Sequence, residues 1–96
     1  LAAAGLGVGD LTAEMATRYG FPNGTRGAVI AAIDRNGFAF AARLAVGMVV
    51  VKVDRTPVGS AREFADALAA ADPDRGATLS VLRPTGEVDF VVLRVR

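Results

Sequence analysis

The chain has 96 residues, 52% of them hydrophobic and 22% charged, enough apolar side chain to close a core without a metal or a disulfide and far from the composition of a disordered segment. Eleven basic against ten acidic residues leave a net charge of +1, too weak a field to gather phosphates, which argues against nucleic acid as a partner. Cysteine and histidine are both absent, which removes the thiolate nucleophile, the imidazole base and the usual zinc ligands together and weighs against an enzyme.

No membrane span is expected, because the longest apolar stretches, Leu1 to Leu6 and Gly47 to Val51, fall well short of the roughly 20 residues a bilayer requires. The chain opens on Leu1 with no charged segment before the Ala2-Ala3-Ala4 run, so it reads as a domain excised from a longer chain rather than as a signal peptide.

Taken in order, Leu6, Val8 and Asp10-Leu11 alternate with Gly5, Gly7 and Gly9, a pattern that predicts a short strand approached closely by another backbone. A brief helix follows over Ala13 to Arg18, with Thr12 as N-cap, Glu14 in its first turn and Tyr19-Gly20-Phe21-Pro22 as its stop. Asn23-Gly24 marks a turn. The continuous apolar run Ala28 to Ile33, bounded by Gly27 and by Asp34-Arg35-Asn36-Gly37, predicts a buried strand. Phe38 to Leu44 is Ala-rich and long enough for one or two helical turns, and Met48 to Val53 is a second strand. Asp54-Arg55-Thr56-Pro57 is a turn signal.

Ser60-Ala61-Arg62-Glu63 has the spacing of a capping box, in which the Ser60 hydroxyl accepts from the Glu63 amide and the Glu63 carboxylate reaches back to the Ser60 amide. The helix it opens runs to about Ala71, with Phe64, Ala67, Leu68 and Ala71 as a core stripe, Arg62 and Asp66 toward water, and Ala61, Ala65 and Ala69 as a smooth flank. That flank reads equally as helix propensity or as the wall of a groove. Thr78 to Arg83 and Val88 to Val95 form a hairpin around Pro84-Thr85-Gly86-Glu87. The expected architecture is α+β, about five strands in a partly open antiparallel barrel or sandwich capped by two helices.

Catalytic and metal chemistry find little support. A Ser–Lys dyad would have to use Ser60 or Ser80 with Lys52, yet Ser60 caps a helix and the other two sit mid-strand among apolar neighbours. Asp72 and Asp74 bracket a proline turn and lack the further carboxylates of a calcium loop. Gly5, Gly7 and Gly9 do not follow the dinucleotide-binding spacing. A glycine-containing turn can still hold a carboxylate through unpaired amides, and the strand after it can accept a ligand as an added strand.

In order and spacing the segments resemble a PDZ domain of the HtrA/Deg serine-protease type over nearly the whole chain. Asp10-Leu11-Thr12-Ala13-Glu14-Met15-Ala16 is similar to the family's "L-T-P-E-L-A" helix, and Arg26-Gly27-Ala28-Val29-Ile30 to its "R-G-A/V-V-V" strand. Asn36-Gly37 with Ala39, Ala41, Ala42 and Leu44 resembles "N-S-P-A-A-x-A-G-L", and Gly47 to Val58 resembles "G-D-V-I-x-x-V-N-G-x-P-V". Departures are Ala4 for a larger apolar residue, Phe38 and Phe40 in a segment of small residues, Arg43 for a glycine and Met48 for an aspartate. Arg43 must either keep a negative φ or carry strain.

The resemblance implies a PDZ-like fold with the permuted bacterial strand order, and a non-catalytic module that captures C-terminal or exposed hydrophobic segments by strand addition. It places the carboxylate loop on Ala3, Ala4, Gly5 and Leu6, or, shifted by two, on Gly5, Leu6, Gly7 and Val8. Leu6, Gly7, Val8 and Gly9 would pair with ligand backbone, and Ala61, Ala65 and Leu68 would wall the groove. No cofactor or metal is implied. The implied partners are unfolded or C-terminal peptides and the protease and sister PDZ domains of a parent chain in the bacterial cell envelope. The alternative is an interdomain packing or oligomer-gating module with a closed groove; a domain from a site-two or tail-specific processing protease would share the fold.

Overall fold

The computed structural model describes residues 5–22, 24–71 and 75–93. Six strands form one antiparallel sheet: β1 (Leu6–Asp10), β2 (Ala28–Ile33), β3 (Val49–Val53), β4 (Thr56–Pro57), β5 (Ala77–Leu82) and β6 (Val88–Leu93). Their spatial order is β1-β2-β3-β5-β6, with the two-residue β4 attached to β3. The sheet is therefore open, with β1 and β6 at its ends. Strand β4 falls within the Asp54-Arg55-Thr56-Pro57 stretch, whose residues signal a turn. Proline donates nothing to a ladder, but a two-residue edge pairing asks little of it, and Lys52 and Val53 pair with Pro57 and Thr56 across an Asp54-Arg55 turn.

Three helices accompany the sheet: α1 (Ala13–Tyr19), the single-turn α2 (Phe38–Ala41) and α3 (Ala61–Ala70). Helix α1 begins where the Thr12 side chain accepts from the Met15 amide at 3.1 Å. It ends at Gly20, whose φ of 83° permits the Phe21 amide to reach back to the Ala16 carbonyl at 2.7 Å. At the start of α3 the Ser60 hydroxyl accepts from the Glu63 amide as expected, but the Glu63 carboxylate takes the Gly59 amide at 2.7 Å, one residue upstream of the expected Ser60 amide. The first turn of α3 is completed from outside, by the Asp10 carboxylate accepting from the Ala61 amide at 2.8 Å.

The two faces of the sheet bury separate clusters. On one face Leu6, Ile30, Val50, Val53, Leu79, Val81 and Leu93 pack under Phe64 and Leu68 of α3. On the other, Val29 and Val49 pack under Ala16 and Phe21, joined by partly buried Met15, Tyr19 and Leu82. Each Leu or Phe so buried contributes roughly 1.5–3 kcal/mol, which is why a ten-residue helix and a seven-residue one suffice to hold the sheet. No helix among the described residues is long and apolar enough to cross a membrane.

Candidate functional site

Strand β1 is an edge: it pairs with β2 from Leu6↔Ile33 to Asp10↔Ala28 and, among the described residues, with no other strand. A bulge between Gly7 and Val8 breaks the register once. Side chains alternate across the pleat, so Leu6, 2% exposed, and partly buried Val8 enter the core beneath α3, while Gly7 and Gly9 occupy the opposite face.

Helix α3 packs across β1, β2 and β3. Its N-terminus is tied to the far end of β1 by the Asp10–Ala61 hydrogen bond, so the helix runs back alongside the strand. Leu68 is buried with Leu6 in one cluster, Ala61 and Ala65 are half-buried, and Ala69 is exposed. Helix α3 thus lies beside β1, with Ala61 and Ala65 partly accessible. This is the arrangement in which an extended chain can hydrogen-bond to the strand and lay every second side chain against the helix.

The beginning of β1 is held by a turn. Gly5 has φ 79°, and its carbonyl accepts from the Asp34 amide at 2.8 Å. A Cβ at Gly5 would lie 3.1 Å from the Gly37 Cα and 3.2 Å from the Asp34 Cβ, so only glycine fits both the backbone angle and the space. The turn itself is closed by Gly37 N to Asp34 O at 3.0 Å and by the Asp34 carboxylate accepting from the Asn36 amide at 2.9 Å. In the sequence Asp34 to Gly37 bounds the β2 run, and Asn36-Gly37 opens the family pattern that follows it. Its contact with Gly5 joins residues some thirty positions apart and has no local signature.

Of the residues expected at the site, Gly5, Leu6, Gly7, Val8 and Gly9 follow one another along the free edge, and Ala61, Ala65 and Leu68 lie on the neighbouring helix. Ala3 and Ala4 lie outside the described residues. Asp10 is a further contributor, capping a helix 51 residues away with no local signature in the chain. Arg43 takes the strained option, with φ 67°, a cost the glycine of the family pattern avoids.

The other candidates disperse. Lys52 and Ser80 are cross-strand neighbours of β3 and β5, but Lys52 is exposed and no hydrogen bond joins it to Ser80. Ser60 is committed to its cap. Asp72 and Asp74 lie outside the described residues, among which no cluster of metal-ligating side chains occurs. A cavity of about 350 Å³ opens elsewhere, between the end of α1 at Tyr19, the loop Ala45–Met48 and the β5–β6 turn at Arg83–Thr85. It is mostly apolar and borders loops rather than a free strand edge, so it offers no ladder to a peptide.

Comparison with known proteins agrees with this geometry. A family model described as PDZ domain matches residues 4–93. Among solved structures, the HtrA-type protease AlgW with decapeptide superposes with a TM-score of 0.80 at 27% identity, covering 97% of this chain and 29% of that one. A second AlgW structure with decapeptide gives 0.76 at 28% identity over 96% of this chain and 27% of that one. The HtrA3 PDZ domain bound to a phage-derived ligand (FGRWV) shares the fold, with a TM-score of 0.77 at 17% identity over 94% of this chain and 80% of that one. The chain spans less than a third of the AlgW protease. None of the curated proteins matches it in sequence.

Proposed function

The chain belongs to the PDZ domain family, and from that premise we propose that it captures peptide segments, C-terminal ones above all, by adding them as a further strand to the free edge of β1. The observation that carries this is the unpaired edge of β1, a strand on which α3 packs. Backbone hydrogen bonds to Leu6, Gly7, Val8 and Gly9 supply affinity tolerant of sequence. Leu6 and Leu68 shape an apolar seat for the last side chain of the ligand. The terminal carboxylate is received by backbone amides at Gly5 and Leu6, the described half of a loop Ala3-Ala4-Gly5-Leu6. That register is supported by the pairing of Leu6 to Asp10 with β2, since the alternative loop, Gly5 to Val8, would lie inside the ladder.

By likeness to AlgW, the module serves an HtrA-type serine protease that lies outside this sequence, in a bacterial envelope compartment, and is itself non-catalytic. Phe40, 49% exposed, supports a second reading, in which the domain packs against a neighbouring protease or PDZ domain with its groove closed. Titration with a set of apolar-ended peptides, each with its C-terminally amidated twin, separates the two. Capture predicts dissociation constants on the order of micromolar or weaker, because a short peptide buries little surface, and a marked loss on amidation. Absence of saturable binding across the set would leave the packing reading.

A further inference from the structure

We infer that Asn36-Gly37 is a site of spontaneous modification, at which conversion of Asn36 to isoaspartate loosens the turn that braces Gly5. Asn36 is exposed in that turn. Its backbone amide donates to the Asp34 carboxylate at 2.9 Å, but its side-chain amide, among the described residues, makes no hydrogen bond. Glycine follows where the family pattern has serine, so no Cβ shields the Gly37 nitrogen from the Asn36 side chain. The one tie on that nitrogen, its N–H to the Asp34 carbonyl at 3.0 Å, lies in an exposed turn that local opening releases.

The chemistry needs only water. The Gly37 nitrogen attacks the Asn36 Cγ, a five-membered succinimide closes, and the side-chain nitrogen leaves as ammonia with the proton that Gly37 gave up. Water then opens the ring. Cleavage between the Gly37 nitrogen and the side-chain carbonyl gives aspartate; cleavage between that nitrogen and the main-chain carbonyl gives isoaspartate. In isoaspartate the main chain runs through Cβ, so one extra backbone atom enters between Asp34 and Gly37. Both residues touch Gly5: the Asp34 amide donates to its carbonyl at 2.8 Å, and the Gly37 Cα lies 3.1 Å from where a Gly5 Cβ would stand. The turn has no slack for the added atom, so one of the two contacts must yield. Either product also puts a new carboxylate two residues from Asp34 and cancels the net charge of +1. Gly5 leads into β1, and the effect on ligand capture rests on the peptide-capture reading above; the modification itself does not. Asn23-Gly24, the other asparagine of the chain, supplies the comparison, because a Cβ at Gly24 would meet nothing within 4 Å.

The test incubates the folded domain at neutral and at mildly alkaline pH and follows the amide-to-acid mass gain, with a peptide map that resolves Asn36 from Asn23 and isoaspartate from aspartate. Asn36 should convert over days, faster at the higher pH because the attacking nitrogen must be deprotonated. The fraction carrying isoaspartate there, separated by its charge, should unfold at a lower denaturant midpoint and bind an apolar-ended peptide about three- to tenfold more weakly. Asn36→Gln, which would have to close a six-membered ring, should keep both properties through the incubation. Asn36→Asp, with the charge but no extra atom, should stay near the fresh domain in midpoint. An intact Asn36 after an incubation that converts a free peptide of residues 32–40 overturns the proposal. So does isoaspartate at Asn36 with an unchanged midpoint, or an equal loss in Asn36→Asp, which would assign the effect to charge. If the fresh domain binds no peptide, the capture reading fails, while mass and midpoint still decide the assignment at Asn36.

Discussion

Among the described residues the sheet has two free edges, and they are built differently. Strand β1 is short, interrupted by a bulge, carries glycine at every second position and runs beside α3. Strand β6 pairs with β5 in unbroken register from Ala77↔Leu93 to Leu82↔Val88 and turns Val88, Phe90 and Val92 outward, Phe90 being 74% exposed. Both present unpaired backbone, so an open edge alone does not make a binding site. What distinguishes β1 is the wall. Leu6 and Val8 reach under α3 into the main core, and Asp10 fastens the helix to the strand, so that under the proposed capture an incoming chain would enter a trough between strand and helix already tied at one end.

The sharpest way to break this comparison is to remove the anchor of one edge and the ornament of the other. Leu6→Ala empties a fully buried site and should cost about 2–5 kcal/mol in chemical denaturation, whereas Phe90→Ala should stay within about 0.5 kcal/mol. Comparable losses would mean that β6 is buttressed in a way its exposure does not suggest. Next in size is Gly5→Ala, which meets both an unfavourable φ and the Gly37 Cα at 3.1 Å; a loss of about 1–3 kcal/mol is expected, and a neutral result would show that the turn yields. Asp10→Ala should cost about 1 kcal/mol by uncapping α3 and should weaken peptide binding besides, because the trough loses its tie; Ser60→Ala, which removes only the local cap, should cost a similar amount of stability. Smallest is Arg43→Gly, a gain of up to about 1 kcal/mol through relief of φ 67°, read as a raised denaturation midpoint.

Much of the fold was legible because the signals are local. The run Ala28 to Ile33 coincides with β2, and the capping box placed the start of α3. The i, i+3, i+4 stripe picked out Phe64 and Leu68, both buried. What escaped was long-range or too brief to leave a pattern. Two residues of β4 show no alternation, and Pro57 argued for a turn. The Asp10–Ala61 and Asp34–Gly5 hydrogen bonds depend on which strands become neighbours, and no spacing rule encodes that. The candidate edge is visible as alternating glycines, but the Asp34–Gly37 turn that braces Gly5 appears only once β2 is folded back along β1.

The most direct test of the central claim is amide hydrogen exchange along both edges, with and without a saturating apolar-ended free-acid peptide. Peptide capture at β1 predicts slowed exchange within Leu6 to Asp10, with alternate amides responding as one ladder side is filled, and no change within Val88 to Leu93. Protection confined to β6, or amides of β1 already protected in the free domain and indifferent to peptide, would contradict it.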